Sequence, residues 1–227
     1  MKSNRKTMKT SAPATAEAQN LFEIRKLVLE GEGQQLEFKR KAAHPEKVVR
    51  ELIAFANSDG GTLLIGVDDD GTIPGVKYPD EEIHVVSQSL LAHCKPLLVY
   101  QESVLPISEN RFVVRYDVSP GNKIHFLVLN NTRETFVRVQ DMSIKASAEM
   151  QEIIRRSKKK RDVRFTFGES EKNLLQQLEQ IPHITLAQYM KFSGLNRFKA
   201  SRKLILLVLA NVLKITASEK GDLYSRA

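Results

Sequence analysis

Apolar positions follow a mixture of helical and strand spacings over the first two thirds of the chain and a mostly helical spacing over the last third. Leu21, Ile24, Leu27 and Val28 predict a helix over 21–30. A short strand is expected over 34–40. A helix over 46–57 follows, with Val48, Val49, Leu52, Ile53 and Phe55 on its face and Asn57-Ser58-Asp59-Gly60-Gly61 as its stop signal. The run 62–67 is apolar without alternation, as in a strand buried on both faces. Asp69-Asp70-Gly71 predicts a tight turn into a strand over 72–76, and so a β-hairpin. A helix over 81–94 and strands over 99–105, 111–118 and 136–139 complete a mixed α/β lobe.

From residue 169 the segments are short. Leu174, Leu175 and Leu178 predict a helix over 169–179. A second helix is expected over 185–192, with Thr185 as its N-cap, and ends at Ser193-Gly194. A third covers 197–212, capped by Asn196. Strands over 213–217 and 223–225 flank a Lys220-Gly221-Asp222 turn. Three helices and a terminal hairpin form the pattern of a winged helix-turn-helix. The expected class is α+β, divided into a flexible tail (1–18), the mixed lobe (19–150), a basic linker (151–168) and the small helical domain (169–227).

Charge sharpens this division. The 227 residues contain 35 Lys+Arg and 27 Asp+Glu, a formal net charge of +8. Residues 1–150 hold 19 basic and 20 acidic side chains; residues 151–227 hold 16 and 7. The excess positive charge therefore lies in the last third, which points to an acidic partner, most simply nucleic acid. Two basic features stand out there. The run Arg155, Arg156, Lys158, Lys159, Lys160 and Arg161 has no apolar residue and suits a solvated helix end or linker, a phosphate-contacting arm, or both. The third helix opens with Asn196, Arg197, Lys199, Arg202 and Lys203, while its back half is apolar. Polar groups at the front of a helix that is anchored at its back suit a recognition helix in the major groove. Lys220 at the hairpin turn adds a further backbone contact. A protein-binding or dimerising helical domain has the same apolar pattern.

The lobe carries a more specific signature: Glu32-Gly33-Gln34-Gln35-Leu36-Glu37-Phe38-Lys39, then Phe55-Ala56-Asn57, then Gly60-Gly61-Thr62-Leu63-Leu64-Ile65-Gly66-Val67-Asp68-Asp69, and later Phe136-Val137-Arg138-Val139. Over about residues 21–147 this resembles the Schlafen AlbA-like domain, also described as a divergent AAA-type domain of DNA-binding regulators, whose bacterial members commonly carry a linked helix-turn-helix. The resemblance implies a DNA-binding transcriptional regulator with an AlbA-like lobe used for assembly or extra nucleic-acid contact. It also implies an alternative. Animal Schlafen proteins cut tRNA and rRNA with three acidic residues, and the matching positions here are Glu32, Glu37 and Asp69, with Lys39 at the adjacent basic position. On that reading the three carboxylates hold Mg²⁺ or Mn²⁺ and the chain is an endoribonuclease; on the first reading no cofactor is expected. On the bare residues, Glu37 and Lys39 alternate along one strand face and can pair with neighbours, and Asp69 can shape a turn.

Other chemistry is narrowed. One cysteine, Cys94, excludes a disulfide scaffold and a multi-cysteine metal site and fits a reducing, cytoplasmic setting. No Gly-x-x-x-x-Gly-Lys-Ser/Thr loop is present, which argues against ATP hydrolysis. His44, His84, His93, His125 and His183 are scattered. No apolar run reaches the ~18 residues of a membrane span, and the basic, Ser/Thr/Ala-rich start lacks the apolar centre of a signal peptide. The expected partners are DNA, or RNA on the alternative, and a second copy of the chain.

Overall fold

A computed structural model describes residues 16–159 and 167–227. The class is α+β. The first helix, α1 (Ala16–Glu30), starts before the apolar spacing does and includes residues 16–18 of the expected tail. Strand β1 (Leu36–Lys39), helix α2 (Pro45–Asn57) and strand β2 (Gly61–Ile65) form a β-α-β unit in which β1 and β2 run parallel. Helix α3 (Pro79–His93), the short strand β3 (Cys94–Lys95) and strands β4 (Tyr100–Ser108) and β5 (Arg111–Val118) follow. The central sheet has the order β1-β2-β5-β4.

The unbroken apolar run of β2 is explained by its place in this sheet. Leu63 and Ile65 join a core with α2 and α3, while Leu64 joins a second core with Ile24 of α1, Phe38 and Val113. Both faces are dry, so alternation would leave a polar group buried. The glycines before it are required by contact. Gly60 has φ +79°, and a Cβ on Gly61 would lie 2.4 Å from the Phe55 ring.

The hairpin expected over 72–76 does not form. Both edges of β2 are already taken, by β1 and β5. Pro74 has no N–H to pair and Gly75 sits at φ +64°. The segment makes a turn closed by Gly71 N–H to Asp68 O (2.9 Å), packs Ile73 against the core that holds Leu64 and Val113, and pairs with the sheet through the Val76–Phe112 bridge.

Further elements lie beyond those expected. β6 (Phe126–Leu129) and β7 (Thr132–Glu134) form a small sheet with β3. β8 (Phe136–Val139) pairs with β9 (Met142–Lys145). Helix α4 (Ala148–Ser157) runs across the expected boundary at 150 into the expected linker. Its N-cap Ser147 accepts from the Met150 N–H, and Met150, Ile153 and Ile154 are buried at i, i+3, i+4 spacing.

The last third contains helices α5 (Glu169–Gln180), α6 (Leu186–Ser193) and α7 (Arg197–Leu209) and an antiparallel hairpin, β10 (Leu213–Thr216) and β11 (Leu223–Arg226). Leu174, Leu178, Ile184, Tyr189, Ala200, Leu204, Leu207, Leu213 and Tyr224 make its core. Thr185 and Asn196 are the N-caps of α6 and α7, and Gly194 ends α6 at φ +68°. α4 packs on α7, and Ala217 joins Val137, Ile144 and Met150 in a core between the lobe and this unit. No helix among the described residues is long and apolar enough to cross a membrane.

Candidate functional site

Two regions carry the residues singled out in the sequence: the acidic motif at β1 and the exposed side of α7. At β1, Glu37 is buried, and so is Arg138 of β8. Arg138 Nη2 donates to Glu37 Oε2 (2.6 Å) and Nη1 to Glu51 Oε2 (2.8 Å). Its remaining N–H groups reach Gly33 O (3.0 Å), Leu36 O (3.2 Å) and Ser143 Oγ (3.4 Å). Every guanidinium hydrogen thus has an acceptor, which a fully desolvated arginine requires. Lys39 Nζ donates to the other Glu37 oxygen, and Arg50 Nη2 donates to Glu51 Oε1 (2.9 Å). Burial pushes the Glu37 carboxyl above its ordinary range; the Lys39 hydrogen bond opposes this and the charge of Glu51 adds to it.

Glu32 has a different task. β1 is an edge strand, and Glu32 Oε1 accepts from the Phe38 N–H (2.8 Å), a backbone donor on the side away from β2. Asp69 is exposed in the turn after β2. Its neighbours shape that turn: Asp70 Oδ1 accepts from Thr72 N–H (2.8 Å) and Asp68 pairs with Arg40 (3.3 Å). An open cleft of about 520 Å³ beside β1 is lined by Glu30, Glu32, Thr62 and Asp117 among others, and neither Glu37 nor Asp69 lines it. The structure therefore does not bring Glu32, Glu37 and Asp69 together. Among the described residues no three His, Cys, Asp or Glu side chains are grouped to hold a metal ion. With both Glu37 oxygens committed to cations, this donor set does not fit Mg²⁺ or Mn²⁺, and Lys39 is a partner of Glu37.

The histidines and the cysteine have local roles. His93 Nδ1 lies 3.0 Å from Val128 O and His125 Nδ1 lies 2.8 Å from Pro96 O. Burial lowers the His125 pKa and raises that of Cys94.

The basic side chains divide into engaged and free. Within the last third, residues 151–166 hold seven Lys+Arg against two Asp+Glu, and residues 167–227 hold nine against five. Arg155 and Arg156 both pair with Glu152 (2.6 Å for Arg156). Lys158 is half-buried with its Nζ on Gly121 O, and burial lowers its pKa. Lys159 is exposed, and Lys160 and Arg161 lie outside the described residues.

On α7, Asn196 spends its side chain on the cap, accepting from Lys199 N–H (3.0 Å). Lys203 is drawn aside by the buried Glu171 of α5. Burial alone would raise the Glu171 carboxyl, but Lys203, the Gly168 N–H and Ser170 outweigh it and hold it below the usual range. Lys203 is thus a structural ion-pair partner. Arg197 stands 3.5 Å from Glu149 of α4, with 69% of its side chain still exposed. Lys199, Arg202 and Lys220 are exposed and take part in no ion pair among the described residues.

Two features of these regions lie outside the residues singled out in the sequence. Glu51 sits between apolar helix positions, and that placement is itself the signal of a buried cation partner. Phe198, between Arg197 and Lys199, is 74% exposed, whereas its apolar character suggests core.

Residues 32–147, just over half of the chain, match the model of the family described as Schlafen, AlbA_2. Among solved structures, the chain is similar to the DIP2311 protein of Corynebacterium diphtheriae, at 14% identity and a TM-score of 0.45. That match covers 90% of this chain and 38% of the other.

Proposed function

Because the chain belongs to the Schlafen, AlbA_2 family, we infer a role in nucleic-acid handling, and we propose that it is a DNA-binding regulator acting through its last third. In this reading α6 and α7 are a helix-turn-helix, β10 and β11 its wing, and the lobe a platform that holds them. The observation that carries the reading is the division of α7. Ala200, Leu204 and Leu207 anchor it in the core, while Lys199 and Arg202 are exposed on its outer side and join no ion pair among the described residues. A helix fixed from behind and basic in front can lie along a groove between two phosphate backbones. In this reading Lys220, exposed at the turn of the hairpin, adds a phosphate contact.

The test is a titration of the whole chain against duplex DNA, single-stranded DNA and tRNA at two salt concentrations with Mn²⁺ present. Salt-sensitive preference for the duplex, with all three substrates intact, is the expected result. Preference for tRNA accompanied by cleavage would overturn it in favour of a nuclease.

A further inference from the structure

Phe198 lies in the first turn of α7, one residue past Arg197 and one turn before Arg202. It is 74% exposed, on a helix whose apolar positions Ala200, Leu204 and Leu207 are all buried. α7 touches its own unit through those residues and touches α4 on another side, where Arg197 meets Glu149. The ring thus stands outside both packed faces. Its neighbours along α7 are cationic: Lys199 and Arg202 are exposed and join no ion pair among the described residues. Phe192, near the end of α6, is also partly exposed.

An apolar partner alone would leave these cations unpaired, and a purely ionic partner would leave the ring in water. Duplex DNA offers both kinds of surface, phosphates at the groove walls and the apolar C5-methyl of thymine on the groove floor. We propose that Phe198 is a base-reading residue, its ring packing on thymine methyl groups in the major groove while Lys199 and Arg202 hold the flanking phosphates. This rests on the DNA-binding reading above and adds to it a source of sequence preference toward A·T pairs.

The experiment selects binding sites for the full chain from a pool of random 30-base-pair duplexes, then measures the selected duplex with thymine and with deoxyuridine in its place. The wild-type chain is expected to select sites with thymine at fixed positions. It should lose roughly fourfold in affinity when one contacted methyl is removed, the loss that corresponds to one apolar carbon returned to water. Phe198→Ala should abolish the difference between thymine and deoxyuridine while leaving the salt slope unchanged, and Phe198→Leu should keep part of it. Circular dichroism and light scattering on each variant report folding and oligomeric state.

A Phe198→Ala chain that keeps the full thymine preference would overturn the proposal. So would a change in oligomeric state with DNA binding intact, because the ring would then cover a second copy. If Lys199→Ala with Arg202→Ala also leaves duplex binding unchanged, the DNA-binding reading itself fails; if only the Phe198 result is negative, that reading stands.

Discussion

Arg138 shows how one side chain can fix the meaning of a motif. Its five N–H groups tie β8 to Glu37 of β1, Glu51 of α2, the carbonyls of Gly33 and Leu36 and the Ser143 hydroxyl of β9. A buried ion cluster is costly to desolvate, and removing one partner leaves the others uncompensated. Arg138→Met is therefore expected to cost about 3–5 kcal/mol in urea unfolding, whereas Asp69→Ala, at an exposed turn position, should stay within about 0.5 kcal/mol of wild type. Comparable losses in the two variants would mean that the cluster does not hold β8 in place. A steric counterpart is Gly61, where an added Cβ meets the Phe55 ring; Gly61→Ala should lower stability by about 1–3 kcal/mol. The motif Glu-Phe-Lys, Phe-Ala-Asn and Gly-Gly was legible as a sequence pattern. Its side-chain partners were not, because Glu51 and Arg138 are 87 residues apart and meet only once the sheet is built.

At the scale of elements, legibility followed local chemistry. The starts of α6 and α7 could be placed because Thr185 and Asn196 supply their own caps. Thr185→Ala and Asn196→Ala are each expected to destabilise the last third by about 1 kcal/mol, read as a lower midpoint in thermal unfolding. The strands β6, β7 and β9 are three or four residues long, too short for periodicity to register, and no motif marks them as Phe-Val-Arg-Val marks β8. α4 was hidden by its own charges. Met150, Ile153 and Ile154 have helical spacing, but the basic run from Arg155 onward looks like linker. The hairpin over 72–76 failed for the opposite reason, since a correct turn signal was overruled by a sheet with no free edge on β2. The Lys203 ion pair was likewise illegible, because a basic residue at the front of a helix cannot by itself reveal a buried glutamate on another helix.

For the whole molecule, the joint between lobe and last third matters most. Ala217 and Ile215 of the hairpin segment pack with Val137, Ile144 and Met150, Arg197 meets Glu149, and the Ser147 hydroxyl donates to Asp222. Burial raises the Asp222 carboxyl above its ordinary range; the Ser147 hydrogen bond opposes this and the charge of Glu149 adds to it. The folded state therefore holds that proton more tightly than the unfolded state. Its stabilising effect is full below the ordinary carboxylate pKa and is lost as pH rises through the raised value. Asp222→Asn keeps an acceptor for Ser147 and removes the titration. Between about pH 4 and pH 7, thermal unfolding of this variant should lose less stability than wild type. Parallel profiles would show that Asp222 does not titrate in the joint. α4 lies against α7, and Lys199 and Arg202 lie on a side of α7 that is exposed among the described residues.

DNA binding through that side is tested by the salt dependence of duplex-DNA binding for the wild-type chain and for Lys199→Ala with Arg202→Ala. Each phosphate contact contributes about 0.9 to the slope of log K against log salt. The double variant is expected to bind more weakly, with a slope shallower by roughly two units. An unchanged affinity and an unchanged slope, in a variant that remains folded, would contradict it.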